Sequence, residues 1–489
     1  MIKHKGRIVQ LGFGAVGRSF FEKVKKEIKF DEYQYFVITK NKAEYEAYIN
    51  LGGISSNFSI EDINRENYKE LFSKYLREGD LLIDFIDNVG TREFVEWCAE
   101  HNVMYINTGE TDWAEIWYSI FEEHDKKALL QEKYRKEKGK NKYPIVVHHG
   151  NNPGLVSHFV KAGIDYIISS QFKKDKHLKS LSKEGRYNEI AKEIGIKMIH
   201  VNDIDNQKIK GEFDENVLIS PWCVDSYWCE MLSEATFDVG THEIIDYEDE
   251  TRVYEKEKGY LEFQKYAVDK VYNTYYPHGQ FGGHMVPHEE TVSIANSLTV
   301  KENGKVVYRP SVMFLYSPCE YASKFLKQAK GKEVKDPKDN VRGYAFPEKW
   351  EILYAEKIES GVEYVGVLIL GDKFDPVWVG NRVETSFLAK DKKTSYWQTP
   401  TITPVAMSAL AGVCWMLKNK DKGGIYFPDD IKEYQDIIKT AEKYISKTIY
   451  KTFSRKEIED SLKIDLKNPQ TKDLEKKYKK GERQWELFL

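Results

Sequence analysis

His288, Glu289 and Glu290 stand together in GHMVPHEETVS (283–293), with His284 four residues ahead. A histidine beside carboxylates can move protons near neutral pH. The H-x-x-x-H spacing also invites a metal. The H-E-x-x-H order of zinc proteases is absent, however, and Pro287 breaks the helix that would align the two imidazoles, so no metal is expected. SPWCVDSYWCE (220–230) joins Trp222 and Trp228 with Asp225 and Glu230. Indole faces beside carboxylates suit an ammonium group, cation–π attraction being worth about 0.5–2 kcal/mol. By spacing alone the favoured reading of the same stretch is core aromatics next to surface acids. In HHGNNPGLVSHF (148–159), Asn152 precedes Pro153, where its amide can hold a ligand or merely start a helix. Asp87 and Glu110 fall at or just after the apolar runs DLLIDFID and VMYINTG.

These residues need a scaffold to gather them, and GRIVQLGFGAVGRSFF (6–21) supplies its first part. Gly12, Gly14 and Gly17 form G-x-G-x-x-G between a strand-like run and a helical pattern. The first glycine permits a tight turn, the second lets the backbone approach a pyrophosphate, and the third lets helix and strand pack closely. With Ala15 and Val16 they make a candidate dinucleotide cradle. Strand and helix patterns then alternate: YQYFVIT, DLLIDFID, TREFVEWCAEH, VMYINTG, a charged helix near 120–138, and YPIVVHHG. The alternation predicts an α/β domain over 1–150 with a Rossmann-type, doubly wound parallel sheet. Asp87, Thr108 and Asn152 are expected at its ligand-binding edge. The second strand ends in Thr39, where an acid usually bonds the adenine ribose. Lys40 and Lys42 suit a 2′-phosphate, which leaves NAD and NADP both open.

From 151 to 403 the texture changes. PGLVSHFVKAGIDYII reads as a helix. IKMIHVNDID, TFDVGTHE, KVYNTYYPHG, EETVSIANSLTV, VVYRPSVMFLY and VEYVGVLILG read as strands and turns of a second, α+β domain with a mostly antiparallel sheet. Segment 404–489 reads as C-terminal helices. Its apolar PVAMSALAGVCWMLKN is expected to pack back on the first domain, with polar helices from about 430.

Composition narrows the function. A chain of 489 residues predicts two or three domains. The 74 basic against 78 acidic side chains give no basic face for nucleic acid. No run approaches the roughly 20 apolar residues of a membrane span, and MIKHKG leads straight into the first strand, leaving no room for a signal peptide. Five scattered cysteines without a C-x-x-C pair make a disulfide framework or structural zinc unexpected. The chain reads as cytoplasmic.

GFGAVGR, INTGETDW, HHGNNPGLVS, DIDNQ, PWCVD, PHEETVSIA and GVEYVGVLILG together resemble the bacterial homospermidine synthase family, within the wider saccharopine dehydrogenase-like group. The resemblance spans nearly the whole chain, and the order of the seven stretches is its specific feature. It implies a homodimeric, NAD-dependent aminobutyltransferase that joins two putrescines into homospermidine and releases ammonia, with NAD as a recycled hydride carrier. It also implies roles for single residues. Trp222 matches a tryptophan that holds cations, Glu230 an acid eight residues on, and Asn152 an asparagine at the nicotinamide edge. His288 and Glu290 match a pair that handles protons and binds amines. Asp87 and Glu110 match acids at the cofactor side and the amine entrance. Asp203 stands where the family tends to have glutamate, and Glu363 where it has aspartate. A saccharopine dehydrogenase-like or carboxynorspermidine-type oxidoreductase with net NAD(P)H turnover is the alternative.

Overall fold

The glycine turn follows strand β1 (Ile8–Leu11) and opens helix α1 (Ala15–Glu27). The computed structural model describes residues 1–113, 131–136, 141–243, 251–255, 259–334, 340–388 and 397–462. The expected charged helix near 120–138 lies mostly outside them, and only 131–136 is described, as helix. The last part of the expected C-terminal helices, from 463, also lies outside. The described residues form two compact units. One draws on Met1–Glu122, Lys126–His158 and Asp391–Ile445, the other on Phe159–Lys390 and Ser446–Leu489.

In the first unit, β2 (Tyr35–Thr39), β3 (Phe58–Ile60), β4 (Leu81–Asp84), β5 (Met104–Asn107) and β6 (Pro144–Val146) join β1 and a late strand, Gly424–Tyr426. All six pairings are parallel, in the order Gly424–Tyr426, β6, β5, β4, β1, β2, β3. The strands read as continuous apolar runs because helices cover both faces of such a sheet. The chain winds outward from β1 in one direction and resumes at β4 in the other. The carboxyl ends of β1 and β4 therefore flank a topological switch point, where open parallel sheets bind ligands. The apolar helix Ile402–Lys418 packs on α1 and on β5 and β6. Gly412 permits that approach: a Cβ there would stand 2.7 Å from Ile106 Cδ1.

The second unit is built on a ten-stranded sheet. At its centre β7 (Ile196–Asp205) lies between β8 (Ser311–Ser317) and β9 (Val362–Gly371). Only the β7–β8 pairing is parallel; the other pairings are antiparallel. The observed architecture is thus α/β, with a parallel dinucleotide-type sheet and a second, mostly antiparallel one. Alternate residues of the central strands, among them Met198, Ile204, Met313, Leu315, Tyr364 and Leu368, enter one apolar core. Strand periodicity sends Asp203, Asp205, Phe314, Tyr316, Glu363 and Val365 to the opposite face.

Three expectations are corrected. EETVSIANSLTV is not a strand: Glu289–Ser297 is a helix, with Val300–Glu302 as a separate short strand. Thr291, Val292 and Ile294 favour strands intrinsically, but two glutamates in the first helical turn and burial of the segment all round, from Glu290 to Ala295, override that preference. VVYRPSVMFLY splits into Lys305–Tyr308 and Ser311–Ser317, since proline cannot donate to a strand ladder. The tail beyond 430 holds helices Tyr434–Ala441 and Arg455–Leu462 but also a strand, Ile449–Thr452, which pairs with Val377–Gly380. No described helix is long and apolar enough to cross a membrane.

Candidate active site

The turn after β1 is shaped by its glycines. Gly12 has φ +81°, and a Cβ there would meet Ile86 Cγ2 at 2.7 Å. At Gly17 a Cβ would stand 2.6 Å from Gly12 O, so the third glycine closes the helix onto the turn. Gln10 pins both ends, its Nε2 donating to Gly12 O at 2.8 Å and Gly17 O at 3.2 Å. Gly14, by contrast, has nothing within 4 Å of a Cβ. It caps α1 without a side-chain bond, so the N–H groups of the first turn remain available to an anion. This is open ground at a helix N-terminus, bare of side chains at Gly14, and it fits the pyrophosphate of a dinucleotide. Ala15 and Val16 form the start of the helix behind it. Thr39 ends β2, and its hydroxyl donates to Glu44 Oε2 at 2.7 Å. An acid that sequence reading did not single out, Glu44 at the start of the next helix, thus lies against the strand end. Lys40 and Lys42 are exposed.

Four further expected residues follow the adjacent ends of β4, β5 and β6. Asp87 is exposed three residues beyond β4. Its neighbour Asp84 is buried and accepts from Tyr105 Oη at 2.8 Å, and burial pushes its carboxyl up to about 7. Thr108 and Glu110 follow β5, both partly buried. Asn152 is partly buried in the tight loop after β6. That loop closes on itself through Gly150 N to Pro153 O at 2.8 Å and Leu155 N to Gly150 O at 2.9 Å. One side chain ties two of these ends together. Asn107 donates to Gly109 O at 2.6 Å and accepts from His148 N at 2.8 Å.

The second unit has its own constellation, on the polar face of the central strands. Trp222 Nε1 donates to Tyr316 Oη at 3.3 Å. Tyr316 lies opposite Asp203 in the β7–β8 register, while Asp205 lies opposite Glu363 across β7 and β9. All four are buried. Burial pushes the Asp205 carboxyl up to about 6, although Gln207 and Cys319 bond its charged form. Its Oδ2 has no partner. His288 caps the helix Glu289–Ser297 and stacks on Phe314, ring centres 4.3 Å apart. Its Nδ1 is hydrogen-bonded to Glu290 and lies 3.7 Å from Glu289 Oε2, and its Nε2 lies 3.7 Å from Glu230 Oε1. Burial opposes charge on this imidazole, but Glu290 and Glu230 outweigh it and hold His288 well above its ordinary value. The two carboxylates thus favour the protonated ring. Glu290 keeps Oε1 buried and unpartnered. His288, Glu289 and Glu290 could also converge on a metal ion, their ligand atoms lying within 4.8 Å of one another.

Trp222, Glu230, His288, Glu290, Asp203 and Glu363 are thus gathered by one sheet face and the elements packed on it. Sequence reading missed Tyr316, Asp205, Phe314 and Tyr227, whose ring meets Trp222 edge-on at 6.3 Å. Only the strand register could have revealed the first three.

Residues 8–147 match the family described as saccharopine dehydrogenase NADP binding domain. A homospermidine synthase of Mesorhizobium japonicum is 26% identical over 430 residues, covering 86% of this chain and 84% of its own. Another, from Blastochloris viridis, is 27% identical over 447 residues, or 87% of each. The chain is similar to homospermidine synthases. Among solved structures, the homospermidine synthase of Legionella pneumophila in complex with NAD superposes with a TM-score of 0.78. It is 24% identical and 92% of each chain is covered, a likeness of fold. Apo saccharopine dehydrogenase from Saccharomyces cerevisiae gives 0.54 at 11% identity, covering 92% of this chain and 100% of that one.

Proposed function

We propose that this protein is a homospermidine synthase that binds NAD at the glycine turn and joins two putrescines with loss of ammonia, acting as a homodimer in the cytoplasm. The observation that carries the reading is the second unit's grouping of an indole, buried carboxylates and a histidinium already neutralised by its neighbours. Putrescine presents an ammonium at each end of an apolar chain. Trp222 offers a π face to such a cation, and Glu230, Glu290, Asp203 and Glu363 offer acceptors in a setting of low dielectric, where charge attraction is strong. Buried carboxylates are costly until a cation joins them. That cost favours a doubly charged ligand over a neutral one.

NAD bound at the cradle supplies a hydride acceptor and, later, a hydride donor. Gly12, Gly14 and Gly17 would seat its pyrophosphate, Thr39 and Asp87 its ribose side, and Thr108 and Asn152 its nicotinamide end. His288 and Glu290, as a pair, would orient the amine and return protons. Because Glu290 and Glu230 favour the protonated form of His288, it would serve as a donor rather than as the base that frees the attacking amine.

The experiment is direct. Protein incubated with NAD and putrescine should yield homospermidine by mass spectrometry and an equal amount of ammonia, without net NADH. Steady NADH formation without the triamine would overturn the reading in favour of an oxidoreductase with net turnover. Light scattering should give twice the chain mass for the homodimer.

A further inference from the structure

We propose that His148 is a positioning residue that holds Glu110 as the proton acceptor for the attacking primary amine. This rests on the reading above, which needs one amine in its neutral form.

The geometry singles out Glu110. His148 Nε2 lies 2.5 Å from Glu110 Oε2, with the imidazole 3% and the carboxylate 11% exposed. Glu110 therefore keeps access to solvent, while its partner sits behind it. His148 Nδ1 is buried without a partner. A proton on Nδ1 would be an unsatisfied buried donor, so the neutral ring carries its proton on Nε2 and donates it to Glu110. That bond fixes Oε2 and leaves Oε1 as the receiving atom.

The surroundings impose this arrangement. His148 has φ +58°, in the left-handed region that non-glycine residues adopt only where the fold dictates it. Asn107 clamps both the backbone N of His148 and the carbonyl just before Glu110. Phe427 closes the ring's other side edge-on, at 5.5 Å. The other titratable groups packed here are Tyr134, raised by burial and by Glu110, and Arg135, which lies over Phe427 and 3.8 Å from Asp430. Tyr105, raised by burial, donates to Asp84 rather than to this pair.

The step balances. An N–H bond of the attacking ammonium breaks, its electron pair stays on nitrogen, and an O–H bond forms on Glu110. A second proton leaves that nitrogen once it has bonded to the iminium carbon. The C–N bond to the departing nitrogen then breaks, that nitrogen takes up both protons and leaves as ammonium, and the carboxylate ends as it began.

The test uses the NAD-loaded enzyme with putrescine. In His148→Asn, asparagine accepts the left-handed backbone but falls short of Glu110. We expect kcat to fall on the order of 100-fold, with KM for putrescine and NAD affinity within about twofold of wild type. Loss of the donor removes support for the charged carboxylate, so the acid limb of kcat/KM should move to higher pH. In His148→Gly, added imidazole should restore part of the rate. Wild-type kcat and acid limb in both variants would overturn the proposal. So would a fall in rate that tracks melting temperature and NAD affinity, with no movement of the limb and no rescue. A wild-type enzyme that makes no homospermidine would instead refute the reading on which this rests.

Discussion

The two units build their sites in opposite ways. In the first, the backbone does the work: glycines, helix start and strand ends present N–H groups and short loops along one sheet edge. In the second, side chains do it, converging from strands far apart in sequence and from two helices and the residues that lead into them. A backbone site tolerates almost no change of residue type at its glycines. It depends little on the charge of its surroundings. A side-chain site is held together by that charge, and each carboxylate there is stabilised or burdened by its neighbours.

The sharpest break in this contrast is Glu290→Gln. It strips His288 of its nearest counter-charge in a buried setting, where breaking such a pair costs about 3–5 kcal/mol. Melting temperature should fall and kcat/KM for putrescine should drop by on the order of 100-fold, while NAD affinity, measured by calorimetry, stays put. Next is Gly14→Val, the mirror experiment. Its Cβ meets no protein atom within 4 Å, so the fold should be unaffected. The pyrophosphate should nonetheless be crowded out, with NAD affinity down by on the order of 100-fold, about 2.7 kcal/mol. Gly17→Val should instead fail to fold, since its Cβ would lie 2.6 Å from Gly12 O. If Gly14→Val kept full NAD affinity, the cradle would be misassigned.

The same contrast explains what was legible in the sequence. The places of Gly12, Gly14, Gly17, Thr39 and Asn152, at a turn, a strand end and a loop, could be read because turn and strand-end signals are local. The parallel sheet was legible for the same reason, through its alternating runs. The second unit's polar face was legible only in fragments. Trp222 and Glu230 lie eight residues apart, but nothing local says that Tyr316 accepts the indole N–H or that Asp205 faces Glu363. Those contacts come from register, which is set by packing of the opposite face. The misread helix at Glu289–Ser297 has the same origin, since tertiary burial rather than propensity decided it.

A smaller effect is expected from Trp222→Ala. Cation–π attraction of about 0.5–2 kcal/mol corresponds to a loss of roughly 2- to 30-fold in kcat/KM for putrescine. Tyr316 also loses its donor. Trp222→Phe keeps a weaker π face and should fall between. Unchanged turnover in the alanine variant would make Trp222 plain packing and leave the acids alone to hold the amine.

The smallest effect is in pH dependence, where both units lose stability as pH rises but over different ranges. His288 is raised above its ordinary 6.5 by Glu290 and Glu230, against the pull of burial. Its charged form therefore stabilises the fold fully below about 6.5, and that contribution is lost as pH rises through the higher folded value. Asp84 in the first unit is raised from 3.8 to about 7 by burial. Its neutral form stabilises the fold below 3.8, and the benefit fades between there and about 7. Replacing Asp84 by Asn should thus help most above pH 7 and hardly at all in acid. The double variant His288→Gln/Glu290→Gln should lose most, relative to wild type, near pH 6.5, and the gap should close in alkali. Chemical denaturation across pH, with NMR titration of the His288 ring, reads both. A gap that stayed flat into alkali would mean His288 carries no charge, and the second unit's site would then rest on packing, as the first one does.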